Sequence, residues 1–564
     1  MNTAPSSSGV ALNFVGAATA PSGEVRGIDI AVESMLGAVF KHGTQPAYPI
    51  YIEETAKTEW SAIEAIAARS SSRTIHRVQR DDLTGTTLFR QDPDLAHLAW
   101  GRQQYGAGAY SLCGLVHTMA GAQTMALVRD CMVAPTQPWD AIICPSIAIR
   151  DVVARLWKSW GAYQDARLGS ARLGTARLGA ARAGTSFECP VQLPVIPLGI
   201  DVARFRSDEA RRAAQRRALG VADDAIVILC HGRQSYAFKQ HPMPVLLAAE
   251  ATANAVNRPI HVIFSGYFHP ESFEADFRAT AAAFCQKATV GFIGNDDPDF
   301  PYGLWSGADI FVSLSDNIQE SFGLTPIEAM AAGLPVVISD WDGYRDAVEH
   351  GQQGFKAPTC MAPPGDGDDL ADRYDAGMDV YGEYLAGASL STSVDVAATT
   401  EAFTALASND DLRKRMGAAG RRRAEEVYDW RNIIPRYEAL WDELSAIRAA
   451  TTTVPETDGL RNPVFPDPFA LFRGFASAPL RDADRLVLSV SLEQVNVVFS
   501  QRMNMFRADL LLPPPDLVVL AQLARREGGV DVATAVSRFD DAPRVRRSLV
   551  WLLKMGVCAL RPAA

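Results

Sequence analysis

The sequence predicts an α/β protein built from two halves of the nucleotide-binding type, followed by a small, mainly helical module. Three observations predict it. Residues 12–16 read as a strand, 17–27 as a loop of small residues and 28–40 as a helix, which is the opening unit of a nucleotide fold. Residues 308–343 repeat that logic, with a strand at 310–314, a polar loop at 315–323, a helix from Pro326 and a buried strand at 335–338. Residues 449–468 are rich in Thr, Pro and Asp and read as a linker, beyond which the patterning is helical.

Composition agrees with a globular protein. The 564 residues suffice for about three or four domains. A formal charge of −11 argues against a surface made to grip nucleic acid or anionic membrane over much of its area. The eight cysteines are scattered, with no C-x-x-C pair, and Cys144 and Cys230 sit in apolar runs as reduced core thiols would. No apolar run reaches the ~18 residues of a membrane helix. The N-terminus lacks a basic leader, and its first apolar run reads as a strand, so a cytoplasmic location is expected.

In the first half, Gly27 closes the turn into the first helix. SLCGLVHT, residues 111–118, reads as a strand that delivers His117 to its end. Such a lone histidine suits either a hydrogen-bonded core position or a ligand-facing one. In 139–156, WDAIICPSIAIRDVVARL, a strand precedes a helix capped by Ser146, which lacks the G-x-S-x-G context of a nucleophile. Residues 166–184 repeat ARLGS, ARLGT, ARLGA and ARAGT. That period fits neither helix nor strand, which favours an expanded surface loop over a cationic loop that touches anionic lipid or polymer.

In the second half, a strand at 225–230 ends in His231-Gly232-Arg233, and Lys239 follows. A diphosphate needs fixed positive charge, which arginine supplies as a fork and lysine as a point. Further strands end at VIFSG (262–266) and VGFIG (290–294). Glu320 and Glu328 flank the turn of Phe322, Gly323 and Leu324 at the carboxyl end of a strand, where open α/β sheets bind ligands. With Thr325 as cap and Pro326 first in the helix, the N–H groups near Phe322, Gly323 and Leu324 would form a phosphate site. Glu328 could accept from sugar hydroxyls, or simply close a capping box with Thr325. Asp366-Gly367-Asp368 lies in a Gly- and Pro-rich acidic loop and reads as surface, not as a metal motif. Residues 411–447 are strongly helical.

The pattern E-x7-E, the FGL turn, EAMAAGLPVV and the following D-x-x-G together resemble the donor-binding core of retaining glycosyltransferases of family 4, which have the GT-B fold. The resemblance covers about residues 10 to 448. It implies two Rossmann-like domains facing a cleft, at 1–198 (acceptor) and 199–429 (donor), with a closing helix at 430–448. A linker at 449–470 and a module at 471–564 would follow. By the same resemblance, Glu320 sits against the donor sugar and Glu328 binds the ribose. Arg233 and Lys239 hold the diphosphate, although the family's spacing between those two is one residue shorter. His117 contacts the sugar or orients the acceptor, Gly27 lines the cleft where relatives carry Gly-Gly, and the backbone of Ile293 pairs with the base. No metal and no cofactor beyond the nucleotide sugar are implied.

In the tail, 517–526, 531–539 and 542–555 read as three short helices before VCAL, a pattern similar to a winged-helix module. From 516 to 564, eight Lys and Arg face five Asp and Glu, a net +3 that is too mild to argue for DNA. Interaction or formation of a homo-oligomer is the expected use. The expected activity is retaining transfer of a sugar from a nucleotide diphosphate to a glycan, glycolipid or protein acceptor, with peripheral contact at the inner membrane face. The alternatives are a sugar-nucleotide epimerase, a phosphorylase, or a non-catalytic GT-B protein acting through its tail.

Overall fold

The computed structural model describes residues 9–13, 27–53, 60–70, 73–168, 188–205, 208–294, 300–453 and 458–561. The arginine-rich repeat falls mostly outside these residues, as does the loop that precedes Gly27. Two compact units divide between Arg461 and Asn462.

The first unit contains two six-stranded parallel sheets among the described residues. One comprises β1 (Val10–Asn13), β2 (Ala47–Tyr51), β3 (Thr74–Val78), β4 (Thr87–Arg90), β5 (Ser111–Leu115) and β6 (Ala141–Ile143). Its order is β3-β2-β1-β4-β5-β6. The other comprises β7 (Ile226–His231), β8 (Ile260–Ser265), β9 (Thr289–Ile293), β10 (Ile310–Ser313), β11 (Val336–Ser339) and β12 (Gly354–Ala357). Its order, β12-β11-β10-β7-β8-β9, is the same topology moved along the chain. Each sheet is Rossmann-like and reverses direction at one point, between β1 and β4 or between β7 and β10. Ligands of such sheets bind outside the carboxyl ends of the strands at that point. Central strands are buried along their whole length, which is why they read as unbroken apolar runs.

The expected closing helix is Trp430–Ala450, capped by Asp429 through the Arg431 N–H. It leaves the second sheet's domain and packs on the first. Trp430 Nε1 donates to Ser34 Oγ at 2.9 Å, and the Thr44 N–H donates to Glu438 Oε1 at 2.6 Å. Tyr437 and Trp441 both meet the Phe89 ring of β4, at 5.8 and 5.3 Å. Gly199 lies under Trp430, where a Cβ would come within 2.6 Å of the indole. This two-domain α/β arrangement with a helix that crosses back is the GT-B architecture.

After β12 the chain inserts a hairpin that the sequence did not announce. It pairs β13 (Thr359–Met361) with β14 (Thr392–Val394) around the helices Asp368–Asp375 and Tyr381–Leu390. Asp366, Gly367 and Asp368 are exposed here, as read.

The second unit has its own core, which includes Leu486, Val495, Leu517, Leu520, Leu549 and Leu552. Its helices Pro514–Ala524, Val532–Val536 and Ala542–Lys554 match the three read from sequence. Beyond them it has the helix Leu492–Ser500 and a three-stranded antiparallel sheet. In that sheet β15 (Arg485–Leu488) lies between β16 (Val530–Asp531) and β17 (Cys558–Arg561).

Candidate active site

The site forms at the switch point of the second sheet. β7 ends at His231, and the chain turns through Gly232 at φ +130°. The Cβ position of Gly266 lies 1.9 Å from the Gly232 carbonyl oxygen, so this turn and the loop after β8 meet where only glycine fits. A tight turn follows, in which the N–H groups of Lys239 and Gln240 both donate to Ser235 O at 3.0 Å. That turn accommodates the extra residue between Arg233 and Lys239 and returns Lys239 to the centre of the site.

There Lys239 Nζ forms an ion pair with Glu320 Oε2, with both side chains largely buried. The loop carrying Glu320 is held rigidly. Asn317 Nδ2 donates to Ala237 O at 2.7 Å, Trp341 Nε1 to Asn317 O at 3.0 Å, and Ser339 Oγ to Ser315 O at 2.6 Å. Burial alone would raise the Glu320 carboxyl, but Lys239 and the N–H groups of Ser321 and Phe322 hold it below the usual range. Burial would likewise lower the Lys239 ammonium, and Glu320 with Tyr344 keeps it above its ordinary value. The pair is therefore ionised on both sides, and removing either partner would leave an uncompensated buried charge.

The helix after this loop is Leu324–Ala331, with Gly323 as its N-cap at φ +82°. The expected capping by Thr325 does not occur. No side chain caps the helix, and Thr325 Oγ1 has no hydrogen-bond partner. The helix begins two residues before Pro326, so Pro326 is third and Glu328 fifth, out of reach of the capping-box geometry. The reason is Tyr344, whose ring lies 1.9 Å from the Cβ position of Gly323. The chain enters the helix at that glycine, in a conformation a threonine cap would not adopt. Freed of a capping duty, Glu328 is half-buried, and burial pushes its carboxyl up to about 7 against the opposing charges of Arg204 and Lys239.

The other sequence-read residues fall around this centre. Phe322 is buried, 6.1 Å from the Tyr428 ring, and its N–H serves Glu320. Arg233 is half-buried, donates to Phe238 O at 3.3 Å and lies 5.6 Å over the Phe238 ring. Ile293 ends β9, and its carbonyl accepts from the Gly266 N–H at 3.0 Å. Gly27 is the first residue of the helix Gly27–His42. His117 follows β5, and its Nε2 lies 2.9 Å from Gln91 O. A carbonyl only accepts, so that nitrogen carries the proton, and burial lowers the ring's pKa. The first domain reaches the Glu320 loop here. The His117 carbonyl accepts from Ser321 Oγ, and Thr118 Oγ1 donates to Gln319 O at 3.2 Å.

Sequence reading missed two groups. One is Tyr344 with Ser313. Tyr344 directly follows the D-x-x-G motif, and Ser313 ends β10, so both stood next to residues already singled out. The other is a network at the switch point of the first sheet. Arg90, buried at the end of β4, bonds Asn13 Oδ1 at 3.2 Å, Glu53 Oε1 at 2.6 Å and Asp92 Oδ1 at 2.5 Å. His97 bridges Glu53 at 3.0 Å and Asp94 at 3.1 Å. Burial would lower the His97 ring, but Asp94 and Glu53 raise it to about 9. The available signal was the charged run RQDPD directly after the strand TLF. Among the described residues, no group of three or more His, Cys, Asp or Glu has a metal-holding arrangement.

Residues 211–376 match the family model described as glycosyl transferases group 1. That matched stretch is under a third of the chain. It contains Arg233, Lys239, Glu320, Glu328 and Tyr344. A stretch of 176 residues is 32% identical to a D-inositol 3-phosphate glycosyltransferase of Geodermatophilus obscurus, covering 29% of this chain and 36% of that protein. A stretch of 185 residues is 31% identical to a phosphatidyl-myo-inositol mannosyltransferase of Mycobacterium leprae, covering 32% of this chain and 38% of that protein. The chain thus spans well under half the length of the curated relatives it matches. A crystal structure of Anabaena HepE with UDP and glucose aligns over 77% of this chain and 99% of its own, at 14% identity and a TM-score of 0.48.

Proposed function

We propose that the chain is a retaining, metal-independent glycosyltransferase that takes a nucleotide diphosphate sugar as donor. The observation that carries this reading is the Lys239–Glu320 ion pair beside the uncapped helix N-terminus at Gly323, at the carboxyl ends of β7 and β10. An uncapped helix N-terminus offers unfilled N–H groups and a positive dipole end to a phosphate. Breaking the glycosyl–phosphate bond builds negative charge on the diphosphate and positive charge on the sugar. Lys239, Arg233 and the helix N-terminus would stabilise the first, and Glu320 the second. Glu328 would accept from ribose hydroxyls, Ile293 would meet the base through its backbone, and His117 and Gly27 would line the cleft. Arg233 and Lys239 supply the positive charge that a metal would otherwise bring, and no cofactor is invoked. Retention would follow from front-face attack, with the leaving phosphate taking the acceptor's proton.

The relatives' names concern inositol phosphate and phosphatidyl-inositol acceptors, and the matched stretches cover under a third of this chain. For the acceptor we keep the wider class of glycan, glycolipid or protein hydroxyls, met by the first domain. We assign 1–198 to that domain, 199–429 to the donor domain, 430–448 to the closing helix, 449–470 to the linker and 471–564 to a winged-helix-like module for interaction or self-association. No described helix is long and apolar enough to cross a membrane. A cytoplasmic enzyme with peripheral membrane contact is proposed.

A thermal-shift series with UDP, GDP, ADP and their sugar conjugates tests the donor reading, because a ligand that binds only the folded state raises the midpoint. One base should give a clear shift that Lys239→Ala and Glu328→Ala abolish. No shift with any of them would remove the reading.

A further inference from the structure

The geometry points to Tyr344 as a positioning residue that takes over Glu320 when the donor diphosphate draws Lys239 away. This rests on the donor reading above and adds a step to it. Lys239 is engaged by Glu320. A diphosphate competes for the same ammonium, and Glu320 then loses its partner while it is still buried. A carboxylate left so is costly unless another donor reaches it.

Tyr344 is that donor. Its hydroxyl lies 3.4 Å from Glu320 Oε2, on the oxygen that Lys239 holds. The same hydroxyl is 2.7 Å from Ser313 Oγ. A carboxylate only accepts, so the chain of donors runs from Ser313 to Tyr344 to Glu320. The ring cannot swing aside, because it is fully buried and packed against the Gly323 backbone. The present 3.4 Å is long for a hydroxyl bond, as is common before a substrate arrives, and it shortens once Lys239 leaves. The charged and titratable groups that act on Glu320 come from two elements. Lys239 follows β7, and Asp342 and Tyr344 follow β11.

The test uses the full chain, with release of nucleoside diphosphate from UDP-, GDP- and ADP-glucose and -mannose as the readout. Loss of a hydrogen bond to a charged group should lower kcat of Tyr344→Phe roughly ten- to a hundredfold, with the donor KM held within about twofold. The acidic limb of the kcat profile should also move to higher pH, because Glu320 loses a donor that favours its charged form. Ser313→Ala removes the partner that fixes the hydroxyl and should move the limb the same way by less. It also keeps the test open if Tyr344→Phe does not fold. A kcat loss with an unmoved acidic limb, or an unchanged kcat in both variants, overturns the inference while the donor reading stands. If none of these donors binds to or is turned over by the parent chain, the donor reading falls and the inference with it.

Discussion

Glu328 sits in the fold with its carboxyl near the middle of the working pH range, and this has a sign. Its pKa is raised to about 7 by burial, so the unliganded protein holds it largely protonated below that value. On the proposed reading ribose hydroxyls would donate to the charged form, so binding would favour deprotonation. Affinity for the nucleoside diphosphate should therefore be low in acid, rise as pH passes through about 7, and level off above it. Calorimetric titration across that range should show the rise in the parent and a flat profile in Glu328→Gln. His97 behaves in the opposite sense. Its ring is raised from 6.5 to about 9 by Asp94 and Glu53, so its stabilising effect is full below 6.5 and is lost as pH climbs through about 9. The thermal midpoint of His97→Gln should lie below that of the parent in mild acid and converge with it in alkali. Glu320, Glu328 and Lys239 were legible because they stand at fixed spacings in one stretch or beside one strand end. The Asn13, Glu53, Arg90 and His97 network was not, because its members come from separate strands and meet only when the sheet forms.

At the scale of elements, the short helix after the donor loop is decided by one glycine. Gly323 combines a left-handed φ with contact against the Tyr344 ring. Gly323→Ala should cost on the order of 2 kcal/mol or more, seen as a lower thermal midpoint, and should abolish nucleotide binding. The sequence announced the helix but assigned its cap to Thr325. Side-chain chemistry favours threonine there, and the close approach of Tyr344 is a tertiary fact that no local rule contains. The helical stretch at 411–447 was legible in the sequence, its closing role was implied only by the resemblance, and the structure adds what it holds. Trp441 is buried against Phe89 and accepts from Thr87 Oγ1 at 3.2 Å through its carbonyl. Trp441→Ala should cost about 3–5 kcal/mol, measured by denaturant unfolding of the first unit. The hairpin of β13 and β14 escaped notice because its strands are short and half-exposed, with no apolar run to mark them.

At the scale of the whole molecule, the alternation of strands and helices made the α/β class legible, and the doubled strand order confirms why. Two copies of one topology require two switch points, and each collects charged residues at its strand ends. The second unit was legible only in part. Its three helices show amphipathic spacing, whereas β15 has no strong pattern and finds its place only between β16 and β17. With a core of its own, the unit spanning 462–564 should fold when expressed alone, giving a single cooperative thermal transition. Loss of that transition in the isolated piece would mean that its core is incomplete without the first unit. The hydrogen bond that the His117 carbonyl accepts from Ser321 and the one that Thr118 donates to Gln319 join the two nucleotide-type domains across their cleft, and the Ile147 N–H adds another to Asp346 at 2.7 Å. They give the cleft a shut door. On the proposed donor reading a nucleotide sugar enters only as fast as the door opens, so the observed association rate should stop rising at high ligand concentration, at a ceiling set by the protein alone.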